Sequence, residues 1–215
     1  VLTAEKLNSK DDDGNVLLND FSITIHPGEK VAFVGMEHNS ITSFFDIVSE
    51  TKKPESGTYS WGQTTSHSYM GRDNSAYFNN ELTITDWLKQ YSPDQDDAYV
   101  RGFLGRMLFS GDDGLKKVKV LSGGEKVRCM LSKMMLSGAN VLILDDPTNH
   151  LDLESIESLN EGLVKFPGVV MFSSHDHEFI STIANRIIEI TPKGIIDRMM
   201  NFDDYLKDDQ VKQIR

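Results

Sequence analysis

Two motifs near the middle of the chain combine residue types that bind phosphate and divalent metal ions. Residues 121–125 read Leu-Ser-Gly-Gly-Glu, and a Gly-Gly turn that opens a helix presents backbone amides to an anion. The apolar run 141–144 reads Val-Leu-Ile-Leu and is followed by Asp145 and Asp146. We expect Asp145 to hold Mg²⁺ through a water molecule and Asp146 to orient a water for attack on a phosphate. The two motifs therefore predict a site for a phosphate group and a magnesium ion.

A second phosphate-binding pattern lies between Gly35 and Thr42, where a buried strand gives way to a predicted helix. The P-loop spacing requires a glycine, four further residues, a second glycine, a lysine and a hydroxyl residue. Gly35 and Thr42 fit, and Thr42 is expected to reach Mg²⁺, but Ser40 replaces the second glycine and Ile41 the lysine. The lysine's charge-assisted hydrogen bond contributes about 1.5–3 kcal/mol, so its loss predicts roughly 10- to 150-fold weaker binding. Ser40 is also expected to resist a backbone angle that glycine adopts freely.

The rest of this loop leaves two interpretations open. Backbone amides at the helix N-terminus still favour an anion, and Asn39 and Ser43 are further candidates for nucleotide contact. Glu37 is expected to repel phosphate, whereas His38 adds a titratable ring. The segment is therefore either a weakened ATP-binding loop or a relic that keeps only the turn.

His175 is the third candidate for the chemistry of the site. It follows the apolar strand 169–173, so it should arrive at the same sheet edge as Asp145 and contact a terminal phosphate. A metal site formed by His175, Asp176 and His177 is not expected, because side chains two positions apart on one helical turn point in different directions.

Alternating strand and helix patterns position these motifs and predict an α/β domain with a mostly parallel sheet. Strands are predicted at residues 2–7, 21–25, 31–34, 59–61, 68–70, 141–144, 169–172 and 187–190. Helices are predicted at 41–49, 86–88, 99–109, 153–164 and 179–185, with one short polar helix at 201–215. The helical pattern between about residues 83 and 120 indicates a helical insert.

Composition limits the classes of protein to which the chain can belong. The net charge of −11 opposes sequence-specific nucleic-acid binding, and no apolar run is long enough for direct membrane insertion. The single cysteine, Cys129, predicts a reducing, cytoplasmic location, and its apolar helical neighbours predict that it is buried. The N-terminus lacks both a signal peptide and an initiator Met, which fits a piece of a longer protein.

These motifs, taken together, resemble those of the ATP-binding cassette (ABC) ATPases. The matching segments are Leu121–Glu125, Leu142–Asp146 and Ser173–Asp176, and the resemblance runs over nearly the whole chain. It implies one P-loop NTPase-like cassette at residues 1–215, with an antiparallel β part and a helical subdomain at about 83–135. ATP and Mg²⁺ are the implied cofactors.

The segment Pro147–Asp152 resembles the ABC-F branch of these ATPases. Members of that branch carry two cassettes in one chain, lack transmembrane parts, and act on the ribosome or protect it from antibiotics. The resemblance implies that this chain is one cassette of such a pair. It fits the C-terminal cassette better than the N-terminal one. ATP in this family lies between the P-loop of one cassette and the signature of the other. The partner's nucleotide is therefore implied to contact Ser122, Gly123, Gly124 and Glu125, while Asp152 is implied to contact the partner cassette itself.

The chain departs from the family pattern at several positions that concern its own nucleotide. Ser40 and Ile41 are two of them, and Asp146 stands where the family has a longer glutamate. Residues 8–16 contain no aromatic side chain to stack on adenine. Arg72 stands where a glutamine is expected; it would restore positive charge near the terminal phosphate and disfavour Mg²⁺.

The resemblance therefore implies an ABC-F-type cassette that pairs with a second cassette to bind and hydrolyse ATP, in ribosome-associated translation or in antibiotic resistance. Two alternatives remain open. One is a catalytically dead cassette that contributes only its signature, and the other is the ATPase subunit of an ABC transporter.

Overall fold

The computed structural model describes residues 1–35, 38–107, 109–149, 151–191 and 194–214. Its strands are β1 (Leu2–Lys10), β2 (Val16–Ile25), β3 (Lys30–Val34), β4 (Ser56–Trp61), β5 (His67–Met70), β6 (Val141–Asp145), β7 (Val169–Ser173), β8 (Arg186–Thr191) and β9 (Gly194–Arg198). Its α-helices are α1 (His38–Val48), α2 (Ile84–Lys89), α3 (Asp97–Arg106), α4 (Gly123–Leu136), α5 (Leu153–Lys165), α6 (His177–Ile183), α7 (Phe202–Lys207) and α8 (Asp209–Ile214).

Two sheets form the framework of the domain. The central sheet has the order β5-β6-β7-β3-β8-β9, and all neighbouring strands run parallel except β8 and β9. The second sheet is antiparallel, with the order β2-β1-β4. This arrangement confirms the predicted α/β class, with a mostly parallel core sheet and an antiparallel β part.

The central sheet separates two hydrophobic clusters, because successive side chains of a strand point to opposite faces. In β6, Val141 and Ile143 join the cluster that contains α1 and the antiparallel sheet. Leu142 and Leu144 join the cluster on the other face, which contains the helices of the middle segment. All four side chains are at most 1% exposed, so β6 carries Asp145 at the end of a rigid, fully buried strand.

The segment 83–135 is largely helical, as expected, and contains α2, α3 and most of α4. Thr83 caps α2 by accepting a hydrogen bond from the Asp86 amide at 3.1 Å. Cys129 is fully buried on α4, and burial raises the pKa of its thiol far above the ordinary value. The extent of a separate helical subdomain remains a prediction.

The structure corrects the prediction at the C-terminal end of the chain. The predicted polar helix at 201–215 consists of two helices, α7 and α8, separated at Asp208. It is also not entirely polar, because Tyr205 and Val211 are at most 1% exposed. Strand β9 was not predicted, since its short sequence Gly-Ile-Ile-Asp-Arg lacks a clear alternation.

Two predicted helices end earlier in the structure. Helix α3 stops at Arg106 rather than at Phe109, and α6 stops at Ile183 rather than at Asn185. Among the residues that the structure describes, no helix combines the length and the apolar character needed to cross a membrane.

Candidate functional site

The site lies where β3, β6 and β7 end, at the carboxyl edge of the central sheet, the usual position of ligands in such folds. Gly35 follows β3 with a φ of +137°, and a Cβ there would lie 2.6 Å from the carbonyl oxygen of Ile190. Only glycine fits this position without strain. Met36 and Glu37 lie outside the described residues, and α1 begins at His38.

The two substituted positions of the P-loop pattern lie inside α1. Ile41 is 1% exposed and packs in the cluster that contains the antiparallel sheet. Ser40 is 3% exposed and lies within α1, and it is not among the residues with a positive φ. The expectation that Ser40 resists a glycine-type backbone angle is therefore wrong, because a helical residue does not need that angle.

The neighbouring candidates on α1 differ in their surroundings. Asn39 is exposed at the helix start. The Ser43 hydroxyl is buried and hydrogen-bonds to the Ser9 hydroxyl on β1 at 2.8 Å. Ser43 therefore links α1 to the antiparallel sheet, whereas Asn39 faces solvent.

Asp145 is the centre of a hydrogen-bond network formed by three elements. The Thr42 hydroxyl donates to Oδ2 at 2.7 Å, and the Ser173 hydroxyl donates to Oδ1 at 2.9 Å. His38 Nε2 lies 3.0 Å from Oδ1. Burial raises the pKa of this carboxyl, but the three hydrogen bonds outweigh burial, so the net pKa lies below its ordinary value. The network holds Asp145 as an anion at the sheet edge.

Asp146 is held in an unusual conformation beside Arg72. Its φ is +52°, a left-handed conformation that is uncommon outside glycine, although Asp is one of the residues enriched there. Its amide donates to the Ser173 hydroxyl at 2.9 Å. Arg72 Nη2 lies 3.8 Å from Asp146 Oδ2, and the Asp146 side chain is only 8% exposed. The arginine that replaces glutamine therefore faces the carboxylate predicted to orient the attacking water.

His175 lies beside this network, as predicted from its position after β7. Its ring is exposed, and its centroid is 5.4 Å from the centroid of the His38 ring. The two rings line a cavity of about 300 Å³ whose wall includes Gly35, Ile41 and Ser173. The side chains predicted from separate motifs thus converge around one space at the end of β3 and β7.

The signature residues cap α4 in the form of a capping box. The Ser122 hydroxyl accepts a hydrogen bond from the Glu125 amide at 3.3 Å, and the Glu125 carboxylate accepts one from the Ser122 amide at 2.9 Å. Lys116 adds a contact to Glu125 at 2.9 Å. Ser122 and Gly123 are exposed, whereas Gly124 is buried. The start of α4 is therefore rigid, and Ser122 and Gly123 face solvent.

Asp152 caps α5 next to the signature. Its Oδ1 accepts a hydrogen bond from the Ser155 amide at 2.8 Å. The Ser155 side chain and then this amide both lower the pKa of Asp152 by hydrogen bonding to its carboxylate. A Cβ on Gly124 would lie 3.9 Å from this same oxygen. The predicted residues thus form two groups: one around Asp145, and one that joins the signature to Asp152.

The groove beside the segment where the family is implied to stack adenine has largely apolar walls. A groove of about 510 Å³ adjoins Ser40 and is lined by residues of β2 and β8, including Val16, Leu18, Phe21 and Ile190. Val16 is 62% exposed. This surface offers apolar contact beside the segment 8–16, which itself has no aromatic residue.

Two residues of the site were not assigned a role from sequence. The sequence identified His38 only as a titratable side chain in the P-loop segment. Its partner Asp145 lies at the end of β6, more than a hundred positions away in sequence, so no local pattern indicates the contact. Ser173 could have been found, because it is a polar residue at the end of an apolar strand. Within the described ranges, no group of three or more His, Cys, Asp or Glu side chains suits a metal ion.

Comparison with known proteins identifies similar sequences and folds. The family model described as "ABC transporter" matches residues 18–149. An uncharacterized ABC transporter ATP-binding protein, YkpA of Bacillus subtilis, is 55% identical over 99% of this chain and 40% of its own length. The energy-dependent translational throttle protein EttA of Escherichia coli is 31% identical over 88% of this chain and 35% of its own length. The chain therefore spans two fifths or less of the length of these relatives.

A solved structure shares the fold at low sequence identity. It is the dimeric post-hydrolysis state of the ATP-binding cassette MJ0796 with ADP and Pi. Its TM-score is 0.77 at 15% identity, with 94% of this chain and 99% of that chain covered.

Proposed function

Since the chain belongs to the ABC transporter family of ATP-binding cassettes, we propose that it is an ABC-F-type cassette. In this proposal it pairs with a second cassette as an ATP-dependent clamp that acts in translation at the ribosome. The Pro147–Asp152 motif and the similarity to a translational throttle protein support this assignment. The dimer of cassettes in a protein of the same fold supports the pairing.

The capped start of α4 is the observation on which the proposal rests. The capping box fixes Ser122, and the exposed Gly123 lies at the first position of the helix. A helix N-terminus offers free amides and a partial positive charge to a phosphate. This cassette therefore supplies an intact phosphate-binding face for nucleotide held by the second cassette.

The nucleotide site formed by this cassette's own P-loop segment lacks two features of the family pattern, one for phosphate binding and one for hydrolysis. Ile41 cannot replace the lysine's charge, and its side chain is 1% exposed within an apolar cluster. Arg72 faces Asp146, so the proposed water-orienting carboxylate is paired with a cation. Asn39, the α1 amides and His175 remain as proposed contacts for the phosphates. These observations favour nucleotide binding with slow or absent hydrolysis at this site, the second candidate function.

Mg²⁺ is the cofactor that fits least well. Thr42 and Asp145 supply the oxygen atoms that Mg²⁺ prefers, but both are already hydrogen-bonded to each other. His38 and Ser173 donate to the other carboxylate oxygen. In this arrangement Oδ1 of Asp145 is already occupied by two protein donors, and only Oδ2 keeps an acceptor position for a metal-bound water.

A charge placed at the signature tests the proposal in the full-length two-cassette protein. Gly123→Asp puts a carboxylate at the N-terminus of α4, where it stabilises the helix but repels a phosphate. We expect thermal stability that is equal to or slightly above that of the unmodified protein, with loss of both ATPase activity and ATP-dependent co-sedimentation with ribosomes. Gly123→Ala is the matched control and should retain more of both activities.

Two other outcomes would redirect the assignment. ATP-dependent ribosome binding that survives Gly123→Asp would contradict a role of this signature in clamp closure. Co-purification with a membrane complex instead of ribosomes would favour the transporter alternative.

A further inference from the structure

Three side chains of this chain donate hydrogen bonds to the carboxylate of Asp145. His38 and Ser173 contact Oδ1 at 3.0 and 2.9 Å, and Thr42 contacts Oδ2 at 2.7 Å. The Asp145 side chain is 0% exposed. An ionised carboxylate has about four acceptor positions, so protein donors already occupy most of them.

The role of His38 in this contact follows from the chemistry of its partner. An ionised carboxylate can only accept hydrogen bonds, so the imidazole must donate through Nε2–H. The ring is itself only 14% exposed, and α1 fixes the position from which it reaches Asp145. His38 is thus an internal donor held against the carboxylate.

A magnesium ion at the same place would require a different arrangement. Mg²⁺ needs near-octahedral oxygen coordination and usually keeps several waters, one of which would donate to the carboxylate. A metal-bound water that donates to Oδ1 of Asp145 would compete with the His38 ring, because His38 and Ser173 already occupy that oxygen. His38 and the metal-bound water are therefore alternatives at this oxygen.

We infer that His38 takes the place of the divalent cation at Asp145, so that this site binds the phosphate chain of a nucleoside triphosphate without Mg²⁺. The inference rests on the proposed function, in which this cassette holds ATP. Without a donor beside it, the buried carboxylate of Asp145 would repel the phosphates. The His38 hydrogen bond places a partial positive charge beside the carboxylate and so reduces that repulsion, to a smaller extent than a bound cation would.

The test compares the affinity for a fluorescent ATP analogue in EDTA and in Mg²⁺. The unmodified chain should bind equally well in both, within about a factor of two. His38→Ala should bind more weakly in EDTA and should gain about tenfold or more on adding Mg²⁺, the size expected for one charge-assisted hydrogen bond. His38→Gln should stay independent of Mg²⁺, because its amide nitrogen can donate from a similar position.

A control variant and a second measurement keep the inference separate from the proposed function. His26→Ala removes an exposed imidazole in the turn before β3, which is not part of the wall of this cavity, and should change neither affinity. In nucleotide-free protein, the imidazole ¹⁵N shifts of His38 should show Nε2–H, and millimolar Mg²⁺ should leave them unchanged.

Tighter binding of the unmodified chain in Mg²⁺ than in EDTA would overturn the inference while leaving ATP binding intact. Absence of any nucleotide binding, with His38 still protonated at Nε2 and insensitive to Mg²⁺, would overturn ATP binding at this site but retain the His38 contact. A His38 signal that shifts on adding Mg²⁺ alone would overturn the inference in either case.

Discussion

Gly124 of the signature packs so tightly against α5 that a Cβ at this position would lie 2.2 Å from the Ser155 hydroxyl oxygen. Ser155 is 3% exposed, and its amide donates to Asp152. The start of α4 and the start of α5 therefore form one rigid unit. In the proposed clamp, this unit aligns the signature face with the residue implied to contact the partner.

Gly124→Ala should separate the two helices. The extra methyl group cannot fit without moving Ser155, so we expect a loss of about 1–3 kcal/mol in the free energy of unfolding. ATP-dependent pairing with the second cassette should weaken as well. Urea unfolding measures the first effect, and size-exclusion chromatography with ATP measures the second.

Gly105→Ala is the matched control for this prediction. Gly105 also lies in a helix, but a Cβ there would meet nothing within 4 Å. Replacing a helical glycine by alanine should then stabilise the protein by up to about 1 kcal/mol. Equal effects of the two substitutions would show that the contact with Ser155 does not constrain the signature.

Sequence periodicity predicted the fold because the apolar pattern within each segment indicates most of the strands and helices. Strands such as β6 and β7 are short continuous apolar runs, which are typical of strands buried in a parallel sheet flanked by helices. The motif spacing then placed Asp145 and His175 at one sheet edge. Strand β9 and the break at Asp208 were missed, because short segments at the end of a chain carry weak periodicity.

The network around Asp145 could be predicted only in part. Thr42 was expected near Asp145 from the P-loop pattern, and the structure places them in direct contact. The contacts of His38 with Asp145 and of Arg72 with Asp146 join residues far apart in sequence. No local pattern specifies such pairs, because they depend on how the chain crosses between strands.

Arg72 should be required for binding nucleotide at this cassette's own site. Its guanidinium lies beside Asp146 and is 44% exposed, so it can offer positive charge in place of the missing lysine. Arg72→Gln should lower the affinity for ATP by about tenfold or more, as expected for one charge-assisted hydrogen bond. Calorimetric titration with ATP measures the change.

Arg101→Gln provides the comparison, since Arg101 is an exposed arginine on α3. It should leave the affinity for ATP unchanged. If Arg72→Gln binds as well as the unmodified chain, Arg72 only pairs with Asp146 and contributes nothing to the nucleotide.

Restoring the P-loop pattern should strengthen binding of Mg·ATP. The double variant Ser40→Gly, Ile41→Lys regains the lysine, which is worth roughly 10- to 150-fold in affinity. The nucleotide-free protein should lose stability, because Ile41 is 1% exposed in an apolar cluster. Calorimetric titration with Mg·ATP and thermal unfolding measure the two effects.

Ser40→Gly alone separates the two substitutions. Ser40 has a helical backbone, so glycine should destabilise α1 by a few tenths to about 1 kcal/mol and should not raise the affinity. A full gain of affinity from Ser40→Gly alone would contradict the assignment of the defect to Ile41.

The anionic form of Asp145 should make folding stability depend on pH. Its three hydrogen bonds hold its pKa in the folded state below the ordinary value despite burial. A group with a depressed folded pKa stabilises the fold above its unfolded pKa of about 3.9, and this contribution is lost as pH falls through the folded value. Asp145→Asn should therefore cost about 1.5–3 kcal/mol at pH 7, and the difference should shrink below about pH 4.

Urea unfolding at pH 7, 5 and 3 measures this difference between Asp145→Asn and the unmodified chain. Asp112→Asn is the control, because Asp112 is exposed and should leave stability nearly unchanged at each pH. A cost of Asp145→Asn that is the same at pH 3 as at pH 7 would mean that lost packing, rather than the charge of Asp145, causes it. A cost that falls with pH would show that hydrogen bonds to the ionised carboxylate stabilise the junction of α1, β6 and β7.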